Sequence, residues 1–148
     1  MGASTSVSSR IINNIYVSYS LKDRFAIYLH EELMLRNSCN YFGPIEVIEK
    51  EYSLSNDQVS QTIKNIMSNS RCIIIYISRE TVASYFQAVE INHAGHSNAT
   101  VIYIMTDETY TPDNTSFLRQ FIENHEWFPA YDDETLDDTL EKLVDLLK

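Results

Sequence analysis

Two rhythms take turns along this chain: short runs of β-branched and aromatic residues, and longer stretches with apolar residues at helical spacing. Ile15 to Tyr19 is the first run and predicts a strand ending at Ser20. Asp23 is placed to start a helix, with Phe25, Ala26, Leu29 and Leu33 on its apolar face. Gly43-Pro44 punctuates the chain, and Ile45 to Ile48 predicts a short second strand. Glu49, Lys50, Glu51, Tyr52, Ser53 and Leu54 then read as a polar loop. Ser55 and Gln58 have capping-box spacing ahead of a stripe of Val59, Ile63, Ile66 and Met67.

Cys72 to Ile77 is apolar throughout, as expected of a central strand covered on both faces. A helix from about Glu80 to Ala94 follows, with Gly95 placed to end it in a left-handed conformation. Val101 to Met105 predicts a fourth strand and Thr106 to Asn114 a turn-rich loop. Phe117, Leu118, Phe121 and Ile122 predict a short helix, and Trp127 to Tyr131 an edge strand carrying Pro129. The last helix has Leu136, Leu140, Leu143, Val144 and Leu147 as its stripe, with Asp132, Asp133 and Glu134 at its positive end.

Strand and helix therefore alternate about five times, which predicts an α/β domain. Right-handed crossovers put helices on both faces of one parallel sheet. For five strands the expected order is 2-1-3-4-5, the flavodoxin-like arrangement, with ligands at the carboxyl ends of strands 1 and 3. That directs attention to Tyr19 to Lys22 and to the segment from Ser78 into the following helix. Residues 1–13 read as a polar tail and 14–148 as one domain.

Composition narrows the function classes. A net charge of -10 argues against nucleic acid and against an electrostatic hold on anionic lipid. Cys39 and Cys72 form no CxxC pair, which fits a reducing, cytoplasmic setting. No apolar stretch has the length of a membrane span, and no apolar h-region near the start suggests a secretory signal. Met1-Gly2-Ala3-Ser4-Thr5-Ser6 fits the myristoylation pattern with Gly2 as acceptor, which implies weak membrane association by a single acyl chain.

The glycines are too scattered for a phosphate loop, and no GxSxG or HExxH motif occurs. His93 and His96 lack a third metal ligand nearby and fit the negative end of a helix instead. His30 and His125 read as surface residues. Glu90 stands out as a carboxylate sharing a helix face with Phe86 and Ala83, beside an apolar stripe, on the helix that leaves the ligand-binding end. The pattern places it at the border of the core.

Ile15-Tyr16-Val17-Ser18-Tyr19-Ser20-Leu21-Lys22-Asp23 resembles the first signature of Toll/interleukin-receptor (TIR) domains. Ile63 to Ser70, Ser78 and Ser84 are similar to later segments of that family. Phe86-Gln87-Ala88-Val89-Glu90 resembles its Trp-x-x-x-Glu signature with Phe for Trp, and Trp127-Phe128 echoes its third box. The resemblance runs from about Ile15 to Lys148.

It implies an intracellular signalling module of the innate-immunity or cell-death type. TIR domains associate with one another, and the loop after the second strand takes part. Here that loop is placed at Glu49 to Asn56, with Ser55-Asn56 where the family often has Pro-Gly. Some members, in plants, bacteria and one animal branch, cleave NAD at its nicotinamide bond with a glutamate that corresponds to Glu90. NAD is then a substrate, and no cofactor is implied. Phe86 would pack on the base or ribose, Tyr19, Ser20 and Lys22 would form the opposite wall, and Lys22 or Arg79 would meet the diphosphate. Other members keep the glutamate and act only as scaffolds, adaptors or decoys, so the resemblance leaves both classes open.

Overall fold

The computed structural model describes residues 13–108 and 127–148, with the backbone alone at Val82. Five parallel strands form one sheet in the order β2-β1-β3-β4-β5. They are β1 (Asn14–Ser18), β2 (Asn40–Phe42), β3 (Cys72–Ile77), β4 (Thr100–Met105) and β5 (Trp127–Pro129). The helices are α1 (Arg24–Arg36), α2 (Ile45–Tyr52), α3 (Asn56–Ser68), α4 (Arg79–Val82), α5 (Tyr85–Gly95) and α6 (Asp133–Leu146). This is the expected flavodoxin-like α/β fold, with helices on both faces. The expected helix around Phe117 to Ile122, His125, most of the loop after Thr106, and the Gly2 signal lie outside the described residues.

Side chains alternate across each strand and divide the core in two. Ile15, Val17, Ile74, Tyr76, Ile102 and Ile104 face Ala26, Leu29 and Leu33 of α1 and Leu136, Leu140 and Leu143 of α6. Tyr16, Ile73, Ile75, Ile77, Tyr103 and Met105 face Ile45 of α2, Val59, Ile63 and Met67 of α3, and Ile91 and Ala94 of α5. β3 is buried at every position, as its uninterrupted apolar run requires. Caps fix where the helices start. Asp23 accepts from the Ala26 N–H at 3.1 Å, the Ser55–Gln58 capping box is formed, and Asp132 accepts from the Thr135 N–H at 2.9 Å.

Several local expectations are corrected. The second strand is Asn40–Phe42, and Ile45 to Ile48 belongs to α2. Their β-branched character suggested a strand, but Pro44 sets the helix entry and the chain buries Ile45 with Ile48 half-buried behind it, a helical spacing. The polar loop thus shrinks to Ser53–Ser55, since Glu49 to Tyr52 is helical and Ser53 ends the helix in a left-handed conformation, φ 52°. The single helix expected from Glu80 to Ala94 is two, because Ser84 turns out and caps α5 through the Gln87 N–H at 3.1 Å. Gly95 stays helical, and His96 closes α5 at φ -107°.

Two residues change sides. Phe25 is exposed on α1 rather than part of its buried face. His30 is buried between Tyr19 and Tyr41, and burial lowers its pKa to about 4.

The turn into α2 has one strict requirement. Gly43 has φ +95°, and a Cβ there would lie 2.4 Å from the Val17 carbonyl oxygen. Gly43→Ala should therefore lower stability by about 2 kcal/mol or more, from backbone strain and overpacking together. Urea unfolding followed by circular dichroism measures this. An unchanged midpoint would mean that the turn does not press on β1.

Candidate functional site

The site is built at the carboxyl end of β1, where the chain passes from Tyr16 through Ser18 to Ser20. Tyr16 and Ser18 are two apart, so both point to the α5 side of the sheet. Glu90 comes down from the middle of α5 to meet them. Its side chain is completely buried. The expected position at the border of the core is therefore corrected to a position inside it.

Three donors satisfy the carboxylate. Oε1 accepts from the Ser18 hydroxyl at 2.9 Å. Oε2 accepts from the Tyr16 hydroxyl and from the Ile45 backbone N–H, the latter at 3.1 Å. Ile45 opens α2, and the residue before it, Pro44, has no side chain able to cap the helix. Glu90 therefore serves as the N-terminal cap of a helix 45 residues away in sequence.

Burial raises the pKa of Glu90 to about 7, although Tyr16, Ile45 and Ser18 each favour the charged form. The same burial, together with the charge of Glu90, pushes the Tyr16 hydroxyl well above its ordinary value, so it stays protonated and donates. Gln87, one turn before Glu90 and also buried, donates to the Tyr76 carbonyl at 2.8 Å and to Ser18 at 3.2 Å. Its own carbonyl oxygen has no hydrogen-bond partner among the described residues.

Beside this network lies a cleft of about 420 Å³. Ser20, Lys22 and Phe86, three of the residues expected at a substrate site, are among its lining. Phe86 is half-buried and stands edge-to-face with Tyr85, ring centroids 5.6 Å apart. Tyr19 is elsewhere, packed against His30 and Tyr76. Arg79 is also absent from the lining and pairs with Asp107 at 3.0 Å. Lys50, assigned to a loop by the sequence, lines the cleft from α2 and is 3.8 Å from Glu46, which also lines it.

Tyr16, Ser18, Gln87 and Glu46 are not site residues in the sequence reading, and Lys50 enters it only as part of the interface loop. Two of the signals were present: Tyr16 and Ser18 share a strand face, and Gln87 is three residues before Glu90 on one helix face. Nothing local pointed to Ile45 as a donor.

The sheet order, the crossing at β1 and β3, and a buried glutamate on the helix beyond β3 together define a TIR-like domain. A family model, Thoeris protein ThsB, TIR-like domain, matches residues 16–111. That span is well over half of the chain, and the protein belongs to this family. A comparison with curated proteins returned no match.

The raised pKa of Glu90 has a consequence for stability. The folded state holds a proton that the unfolded chain releases near pH 4.5, so this contribution is full below that pH and is lost as pH rises through about 7. Glu90→Gln removes the titration. Between pH 4.5 and 8 the wild type should lose on the order of 3 kcal/mol relative to Glu90→Gln, from the shift in pKa. Parallel urea titrations of the two proteins measure it, and equal pH slopes would show that Glu90 is not the titrating group.

Proposed function

We propose that this TIR domain is a signalling protein that cleaves NAD at the nicotinamide–ribose bond, with Glu90 as the catalytic carboxylate, and that it works in assemblies of like domains. The observation that carries the reading is the fully buried Glu90 carboxylate at the ligand-binding end of the sheet. Burying an ionisable group costs several kcal/mol before its hydrogen bonds offset the loss, and an amide or apolar side chain would avoid the cost. Charges retained at such a cost concentrate at functional sites.

The chemistry follows from charge. As the bond from ribose C1′ to the nicotinamide nitrogen breaks, the electron pair leaves with nicotinamide and positive charge grows on the ribose. A carboxylate beside C1′ stabilises that charge, as in glycoside hydrolysis. Water then adds at C1′ and releases a proton, giving ADP-ribose. Phe86 supplies an apolar face for the ribose or base. Lys22 and Lys50 give the same cleft two cations for the diphosphate, so Lys50 takes the role expected of Arg79.

Glu90 has no exposed surface, so substrate reaches it only when the start of α2 lifts and the Ile45 N–H leaves the carboxylate. That requirement gives assembly a means of control. Val47 and Tyr52 of α2 are exposed, and a neighbour that grips them would bias α2 away from Glu90. A second reading, a non-catalytic scaffold, is favoured by the complete set of hydrogen bonds on Glu90, which is what a structural role needs.

Nicotinamide release from NAD by concentrated protein separates the two. Wild type should release it, and Glu90→Gln should be slower by about 100-fold or more, the scale of losing a preorganised electrostatic group. The Gln variant can keep the bonds from Tyr16 and Ile45, so circular dichroism should remain native. No release by concentrated wild type would leave the scaffold reading, and equal rates would move the active site elsewhere.

Charge reversal at Lys50 with Glu51 tests assembly. Light scattering should show weaker self-association with unchanged folding. Undiminished assembly would place the interface away from α2.

A further inference from the structure

A second cleft, of about 550 Å³, lies at the other end of the sheet. It opens between the last turns of α3 and α5, beside the residues that lead into β3 and β4. Its ionisable lining residues are Lys64, Arg71, His93 and His96, with no Asp or Glu among them. The chain as a whole has 21 acidic residues against 11 Lys and Arg. The cleft at Phe86 mixes Lys22 and Lys50 with Glu46 and Glu80. The shallow one on α6 sets three carboxylates, Asp138, Glu141 and Asp145, around Lys142. A wall of bases alone is therefore a local departure from the charge of the molecule.

We propose that this cleft is a binding site for a small phosphate-bearing anion of up to nucleotide size, with Lys64, His93 and His96 supplying the opposing charge. The size suits such a ligand. Lys64 and Arg71 have no carboxylate partner among the described residues. Arg71 is nonetheless held in place, since its guanidinium donates to the Leu147 carbonyl at 2.6 Å. That bond, with one to Cys39 Sγ at 3.3 Å, draws the Arg71 guanidinium to the α6 side of the sheet, so Lys64, His93 and His96 are the bases that present charge to the cleft.

The histidines are oriented too. The Asn92 carbonyl lies 2.8 Å from Nδ1 of His96 and can only accept, so Nδ1 carries the proton and Nε2 is left to gain one. Nε2 of His93 is held by the Ser60 hydroxyl at 2.8 Å. Burial disfavours the charged form of His93, and Lys64 on α3 and His96 on α5 disfavour it further. An anion would relieve that repulsion.

The carboxyl ends of α3 and α5 face the cleft and oppose an anion there, so the bases must outweigh them. The Ile66 carbonyl of α3 already accepts from the Ser70 hydroxyl at 2.8 Å, and the Asn65 carbonyl from the Asn69 side chain at 2.9 Å. The net charge of -10 disfavours a nucleic-acid strand while leaving a compact anion acceptable.

The test uses the whole chain, with inorganic pyrophosphate and ADP as separate probes, at pH 6.5 and low salt. Calorimetry gives affinity, and histidine ring resonances locate binding. Saturable binding is expected, weakened about 10-fold or more in Lys64→Glu/His96→Asp, with His93 and His96 shifting toward their charged forms. If that variant misfolds, Lys64→Met/His96→Asn keeps the shape and should still weaken binding severalfold. No saturable binding of either probe overturns the proposal. So does undiminished binding by a folded variant, or binding that leaves the His93 and His96 resonances unmoved. The outcome is independent of NAD cleavage, which the Glu90→Gln comparison reads separately.

Discussion

The buried carboxylate of Glu90 is the contact on which the carboxyl end of the sheet depends. It joins β1, α2 and α5 through the Ser18 and Tyr16 hydroxyls and the Ile45 N–H. Taking the charge out of water costs several kcal/mol, and hydrogen bonds to a charged group return roughly 1.5 to 3 kcal/mol each. The cost outweighs the return by about 3 kcal/mol, and the pKa raised from 4.5 to about 7 expresses that excess. At neutral pH the group sits between a charged acceptor and a neutral acid. The entry of α2 depends on it directly, because Pro44 provides no cap of its own and Gly43 is pressed against the Val17 carbonyl. Both carry the start of α2 to Glu90, and with it Glu46 and Lys50 to the cleft.

The sheet was legible in the sequence because its strands announce themselves in two independent ways. β1, β3 and β4 are β-branched, and β1 and β3 are each followed by a helix that opens on a capping residue, Asp23 and Ser78. β2 has neither signal in strength. Asn40–Phe42 is only three residues long, while the neighbouring Ile45-Glu46-Val47-Ile48 has the composition of a strand and the spacing of a helix. Composition was the weaker guide, since β propensity largely reflects packing context and Pro44 is a local constraint on backbone angle. That displacement moved the loop after the second strand, and so put Lys50 in an assembly loop when it also lines the cleft.

Glu90 shows a different limit. Helical spacing placed it on the correct side of α5, but depth is not a local property. What buries it comes from Tyr16 and Ile45, which are 74 and 45 residues away. A glutamate at the edge of an apolar stripe ordinarily reaches water, so the sequence alone favoured the border. The same holds for His30, whose aromatic neighbours Tyr19 and Tyr41 lie on β1's exit and just after α1. In each case the residue type was informative about chemistry, and the long-range packing decided the environment.

The closed arrangement also bounds how the site can work. Opening requires the Ile45 N–H to leave Oε2, which costs roughly 1.5 to 3 kcal/mol if nothing replaces the bond. A state at that height holds from several per cent to under one per cent of the molecules, within the range in which a ligand or neighbour can select it. Protonation of Glu90 lowers the barrier further, because a neutral acid holds the amide less tightly than a carboxylate does. Yet stabilising a ribosyl cation needs the carboxylate charged. In the proposed reaction a group poised near neutral pH would meet both demands, opening more readily as the acid and acting as the anion. In that reading an assembly holding α2 open would remove the conflict, since it would supply the opening energy from contacts made far from the carboxylate and let the exposed Glu90 ionise.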